Sequence, residues 1–473
     1  MFGDLIISVF KPKVNINEVN MKKNIDMCNA PLLSSMIKYC IPIILCSVLQ
    51  QFFNAIDEIF AGQLTSSGGD AVAAVGATSA LRALLINFFI GCSTGAAVTL
   101  THALGAKDSD YIKKTVHTSI LLSLVLGAIL TLLGVAFSNK LLLYMSTPDS
   151  ILALSTLYLR VYFLSMIPYM VYNFTASLMR AMGETDIPLK ILIVSGIVKI
   201  VFTFIFVSLL NLDIVGISLA TVVSQTLSAF LGILYMVKRK DECKLSFRNL
   251  KFSSIPLKNT LKLGIPSGLQ SATFSLSNVL IQRQINMLST ISGFITGNAA
   301  ALSIQNFSDG LTSGFYQVTM NFTGQNYGAQ NYKRVKKIYL ISFAISVVFS
   351  VAVSVVVCLL GEVLLGLYNV TDVDAVFWGK QRLLFMFIPL VFQSLMDITS
   401  GAIRGMGVSM SSMMVSLVGI CGLRTLWSYT IFEIPKYHIP QTLFIVYPLS
   451  WVVTYIALTV LFIKVYKKLC RTD

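Results

Sequence analysis

Four carboxylates lie inside stretches of sequence that are otherwise apolar: Asp57, Glu58, Asp309 and Asp397. A charge there is costly unless it faces a cavity or an opposite charge, so each is a candidate for holding a cation or a proton. Asp57, in Asn54-Ala55-Ile56-Asp57-Glu58, reads either as a cavity-facing acid or as an interfacial carboxylate near the outer surface. Glu58 points about 100° away on a helix and reads as interfacial. Asp309, among Asn306, Ser308 and Gly310, reads as a site or as a hydrogen-bonded packing residue. Asp397 shares a helical face with Arg404 but lies about 10 Å from it, too far for a direct pair, so it needs another partner or water. Buried cations are equally informative. Lys199 sits amid Ile197, Val198, Ile200, Val201 and Phe202 and must pair with a carboxylate or lose its proton. Asp57 is the partner we expect. Arg82 is a further buried cation, and Arg283 and Arg424 are expected to clamp helix-end carbonyls or acids. Among the three histidines, His102 is a candidate relay for a proton or cation, and His117 and His438 read as interfacial residues.

The elements that position these groups must cross a membrane. Hydrophobic residues make up 55% of the 473-residue chain, charged residues only 12%, and the mean hydropathy is +0.77. An ordinary soluble protein carries about twice that charge. Breaks of Gly, Pro, Asn and charge leave twelve apolar segments, near 34–60, 72–104, 109–137, 151–182, 187–210, 214–238, 257–287, 293–327, 332–361, 373–405, 408–433 and 441–468. Each is long enough to cross about 30 Å of hydrocarbon. The ten-residue alternating segments of a β-barrel are absent. The fold class is therefore an all-α polytopic membrane protein. Its net charge of +15 would suggest a polyanion partner in a soluble chain, but 27 Lys and Arg fall in one set of alternate loops and only Lys140, Lys380 and Lys436 in the other. That bias places both termini in the cytoplasm, and no nucleic-acid partner is expected. The eight cysteines show no metal or disulfide spacing, and nothing in the first 33 residues suggests a cleaved leader.

The two halves repeat. Ile41-Pro42 recurs as Ile265-Pro266, Gly105-Ala106 with Lys113-Lys114 as Gly328-Ala329 with Lys336-Lys337, and Ile167-Pro168 as Ile388-Pro389. Arg160 recurs as Arg382, and Arg180-Ala181-Met182-Gly183 as Arg404-Gly405-Met406-Gly407. In this register Asn173 matches Asp397, an amide facing a carboxylate across the cleft. The organisation expected is an N-terminal arm (1–33), a first six-helix lobe (34–238), a linker (239–256), a second lobe (257–468) and a tail (469–473). Two parallel six-helix lobes around a cleft are a transporter architecture, because rocking one against the other exposes a central site alternately to each side. The Phe, Tyr and Met content suits a cleft for flat cations, and equally the lipid-facing needs of any such bundle.

With its twelve helices the chain resembles the multidrug and toxic compound extrusion (MATE) transporters over about 430 residues, and within them the DinF-like branch most. The resemblance rests on Asp57-Glu58-Ile59-Phe60-Ala61-Gly62, Leu104-Gly105-Ala106, Gly216-Ile217-Ser218-Leu219-Ala220-Thr221, Gln325-Asn326-Tyr327-Gly328-Ala329 and the two Arg-x-Met-Gly turns. It implies a V-shaped pair of pseudo-symmetric lobes and efflux of organic, cationic, amphipathic compounds driven by inward H⁺ or Na⁺, with no other cofactor, working as a monomer. Asp57 is similar to the family's helix 1 coupling carboxylate, Asp397 to the helix 10 acid of the NorM-like branch, and Thr221 to a helix 6 hydroxyl near the first-lobe site. The DinF-like branch places Asn and Asp four residues apart in helix 5, where this chain has Lys199 and Thr203. No helix 7 Glu is found, and Gln284 lies in that region. An ammonium beside Asp57 would compete with Na⁺, which favours proton coupling. Lys199 then either toggles its pairing with Asp57 or leaves coupling to Asp397. Asn173, Thr203, Asp309, His102 and Gln284 are the expected substrate-cavity residues. Rival readings are a flippase or metabolite exporter on the same fold, a channel, and a membrane enzyme, for which no His-rich cluster, P-loop or nucleophile elbow is present.

Overall fold

Backbone N–H and C=O groups in hydrocarbon have no water to bond, so apolar segments of this length satisfy them internally as helices. The computed structural model describes residues 25–65, 68–145, 147–368 and 370–470. The first lobe comprises span 1 (Leu32–Gln63), span 2 (Gly68–Ala106), span 3 (Ser109–Tyr144), span 4 (Asp149–Phe163 with Met166–Ala181), span 5 (Asp186–Leu209) and span 6 (Asp213–Lys238). The second comprises span 7 (Ser254–Met287), span 8 (Phe294–Gly328), span 9 (Tyr332–Gly366), span 10 (Val373–Phe387 with Leu390–Gly405), span 11 (Ser409–Tyr429) and span 12 (Pro440–Leu469). Eight of these cross a membrane on length and apolarity alone, and the two bent pairs raise the number to ten. Spans 7 and 8 are long enough, at 34 and 35 residues or about 50 Å. They are less apolar because Ser, Thr, Asn and Gln interrupt them.

Spans 4 and 10 bend by 48° and 43°. Each bend falls at the Ile-Pro pair of its repeat: Pro168 lies in the first turn of the second half-helix and Pro389 immediately before it, where a missing N–H costs nothing. Spans 5 and 11 each contain a π-helical stretch, Ile205–Leu209 and Leu417–Gly422.

The lobes meet through glycines at the end of the bundle that carries most of the Lys and Arg. Gly91 and Gly95 of span 2 face Gly264 and Gly268 of span 7, two small-xxx-small faces that let backbones touch. A Cβ on Gly264 would lie 2.7 Å from the Cys92 Cα. At the same end, His102 Nε2 donates to the Gly405 carbonyl (2.7 Å), and Gln325 Nε2 donates to the Ala181 carbonyl (2.7 Å). These two bonds are repeat mates: each runs from the end of span 2 or span 8 to the last turn of the bent span in the opposite lobe. The glycines that follow, Gly183 and Gly407, take φ of +90° and +81°, which a side chain would strain.

Residues preceding span 1 join this contact. Met27 is fully buried and its carbonyl accepts from Asn326 Nδ2 at 2.9 Å, so the expected arm is packed from residue 25 onward; residues 1–24 and the end of the tail, 471–473, lie outside the described residues. The linker is seated by Arg239, which pairs with Glu184 (2.6 Å) and Asp241. Cys243 and Leu245 plug into the first lobe, and burial pushes the Cys243 thiol up to about 12, where it acts as a small hydrophobe.

Substituting Gly91→Ile should force spans 2 and 7 apart and cost about 1–3 kcal/mol. A thermal midpoint lowered relative to Gly76→Ile, which faces open space on the same helix, is the expected outcome; equal midpoints would show the contact to be slack.

Candidate functional site

Span 1 brings Asp57 and span 5 brings Lys199 to one buried point, with Lys199 Nζ 2.6 Å from Asp57 Oδ2. The approach is close because Gly196, one turn before Lys199, receives the Phe53 ring of span 1 where a side chain would stand. The pair borders a cavity of about 130 Å³ that also takes in Arg82, Asn173, Thr221 and Gln225. Arg82 lies over the Tyr162 ring (4.8 Å) and donates to the Tyr158 hydroxyl at 3.2 Å. Three buried polar atoms here have no hydrogen-bond partner among the described residues: Asp57 Oδ1, Arg82 Nε and Gln225 Oε1. One acid and two bases leave the cavity with a net positive charge, and the orphaned atoms leave room for a polar guest or water.

The second lobe holds a larger cavity, about 410 Å³, walled by Asp309, Asp397, Arg382 and Arg424. None of these four makes an ion pair within bonding range of another among the described residues. Arg382 donates to Asn298 and Gln305 (3.2 Å), Arg424 to Ser450 (3.1 Å) and Asn278 (3.4 Å), and both lie over Tyr447, at 5.8 and 4.2 Å. Gln393 Nε2 donates to Asp309 Oδ1 at 2.9 Å, so Asp309 is both a hydrogen-bonded residue and a cavity wall. Asp397 accepts no hydrogen bond from a described residue.

The repeat is visible in the bases. Lys199 lies 19 residues beyond Arg180, and Arg424 lies 20 beyond Arg404. The extra residue is what a π bulge inserts, and span 11 has its bulge before Arg424 whereas span 5 has its bulge after Lys199.

Several expected residues fall elsewhere. Thr203 is buried but donates to the Lys199 carbonyl (2.8 Å) and does not line the first-lobe cavity; four residues along a helix keep its face but move it about 6 Å along the axis. Gln284 does not line the second-lobe cavity, because Gln282 and Ile285 occupy that face of span 7. His102 borders neither of these cavities and serves the lobe contact described above. Arg283 is exposed and clamps no described acid, and Glu58 is exposed. Asn173 lines the first cavity while donating to the Tyr169 carbonyl (2.8 Å), and the Thr221 hydroxyl donates to Ile217 (3.2 Å). Sequence reasoning passed over Arg382 as a site residue although its recurrence with Arg160 marked the position, and nothing in spacing tied Arg82 to Asp57.

Two pseudo-symmetric six-span lobes, each enclosing charged groups at membrane depth, define a transporter of the multi-pass membrane class rather than an enzyme. The chain belongs to the MatE family, whose model matches residues 42–205 and 266–430, one match in each lobe. It is 26% identical over 408 residues to the probable multidrug resistance protein YpnP of Bacillus subtilis (strain 168), covering 85% of this chain and 89% of that protein. It is 23% identical over 347 residues to the multidrug export protein MepA of Staphylococcus aureus (strain MSSA476), covering 73% and 76%. Among solved structures, a MOP superfamily transporter from Pyrococcus furiosus, described as having a binding pocket of reverse polarity, superposes with a TM-score of 0.87 at 20% identity over 94% of this chain and 98% of that one.

Removing one partner of a buried pair strands the other charge, so Asp57→Asn or Lys199→Met alone should cost about 3–5 kcal/mol. The double variant should recover most of that loss. A double-mutant cycle in detergent unfolding measures it, and additive losses would mean the two side chains do not depend on each other.

Proposed function

We propose that the protein exports organic compounds from the cytoplasm by alternating access, driven by inward proton movement, as a monomer in the plasma membrane with both termini inside. The observation that carries this reading is the Asp57–Lys199 pair. A tethered ammonium occupies the position beside the carboxylate that a coupling cation would take, and the unpartnered Asp57 Oδ1 leaves the acid open to a proton. Protonating Asp57 removes its charge, releases the Lys199 ammonium and changes how spans 1 and 5 hold together; deprotonation restores the pair. Thr221 and Asn173 stand beside this switch. Asp397, without a hydrogen bond of its own, is a second proton or cation acceptor in the other lobe. The names borne by relatives such as YpnP and MepA support a multidrug cargo, and the Tyr- and Trp-lined second cavity suits flat amphipathic compounds.

A second reading, export of an anionic or lipid-linked cargo, is favoured by the net positive charge that Arg82 and Lys199 give the first cavity.

Proteoliposomes with imposed pH or Na⁺ gradients, tested against cationic and anionic compounds, separate these. Efflux of cationic compounds should follow the pH gradient and ignore Na⁺, and Asp57→Asn or Lys199→Ala should lower it at least about tenfold, the scale of losing roughly 1.4 kcal/mol of coupling. Unchanged efflux in both variants removes the pairing mechanism, and transport of anions alone selects the second reading.

A further inference from the structure

We infer that the linker between the lobes is a binding strap for the headgroups of anionic phospholipids. The inference rests on membrane embedding and on the linker's own geometry, and it is independent of cargo and coupling ion. The strap is held rigidly against span 3: Ser246 N–H donates to His117 Nε2 (3.1 Å), Ser253 N–H to the Thr118 hydroxyl (3.1 Å), and a single 3₁₀ turn, Phe247–Asn249, lies between. Leu245 and Leu250 point inward onto the first-lobe core. Phe247, Phe252 and Ile255 point outward, 64%, 48% and 67% exposed.

Large apolar side chains turned away from the core of a basic loop need an apolar solvent, and the strap lies where one begins. Span 3 is 36 residues long, about 54 Å, whereas a bilayer with its headgroups is about 40–45 Å thick. Its first turns therefore project into water, and His117 and Thr118, two to three turns in, fall at headgroup level.

The charge around the strap fits the same occupant. A concavity of about 440 Å³ is bordered by Lys113, Lys244, Arg248 and Lys251. Of the acids facing it, Asp110 is paired with Lys114 (2.5 Å), and Asp241 shares Arg239 with Glu184, so Asp241 in part and Glu242 stand against four bases and the concavity keeps a net positive charge. His117 is spent on the backbone, Nε2 accepting from the Ser246 N–H and Nδ1 bonded to the Lys113 carbonyl at 2.7 Å. Basic side chains interleaved with aromatic ones match a phosphate above an acyl chain. A free phosphate would use the bases and leave the three apolar side chains in water.

The test is hydrogen exchange of residues 243–256, with native mass spectrometry of retained lipid, on the full-length protein in nanodiscs of phosphatidylcholine with and without phosphatidylglycerol. The strap should gain protection with phosphatidylglycerol, and that lipid should be retained at least about threefold over phosphatidylcholine, a preference lost in Lys244→Gln/Arg248→Gln/Lys251→Gln. Phe247→Ser/Phe252→Ser should lose protection in both lipids. All these side chains are exposed, and equal thermal midpoints in phosphatidylcholine establish that the variants fold. Undiminished preference in the triple variant, or equal protection of detergent-solubilised protein by inorganic phosphate, would overturn the inference.

Discussion

A buried carboxylate and a buried ammonium 2.6 Å apart tie spans 1 and 5 of the first lobe together at the edge of its cavity. Neither charge is tolerable there alone, so spans 1 and 5 must keep the geometry that joins them for as long as both are ionised. The pairing is incomplete, because one carboxylate oxygen lacks a partner and Arg82 sits across the same cavity with an unpartnered Nε. A pair with spare capacity on both sides is one that a proton or a charged guest can re-partition. A fully satisfied network would only rigidify the lobe.

Duplication explains the frame around this pair and also what departs from it. The lobe contact is symmetric: His102 and Gln325 reach matching carbonyls, and the bent spans 4 and 10 present them. The bases are nearly symmetric, Lys199 with Arg424. The acids are not. Counting from Pro42 and Pro266, the position that holds Asp57 in the first lobe holds buried Ile281 in the second, and the position of Asp397 holds Asn173 in the first. Each lobe thus keeps a base on span 5 or 11 and supplies its acids from different spans, which produces a small cavity with a net positive charge and a larger one with balanced charge.

Spans, repeat and bends are legible in the sequence because hydropathy and proline act locally. The Asp57–Lys199 pair is legible for a different reason: an ammonium amid Ile and Val has to find an acid, and few acids lie at membrane depth. Arg82 is legible as a buried cation, but its tie to Tyr158, Tyr162 and the Asp57 cavity depends on the rotation of span 2, which no spacing records. Thr203 and Gln284 were assigned by resemblance and miss the cavities through helical phase and rise. The Gly91/Gly95 and Gly264/Gly268 faces are written plainly as two Gly-x-x-x-Gly runs, yet only the packed helices reveal that they face each other.

Whether Lys199 stands in for a mobile cation is most directly measured by titrating Na⁺, at constant ionic strength, against the thermal midpoint of the purified protein and of Lys199→Ala. The account predicts no Na⁺-specific stabilisation of the native chain and a saturable one in the variant, whose Asp57 is left open to the ion. Equal stabilisation of both by Na⁺ over a choline control would show that the ammonium does not occupy the cation's place.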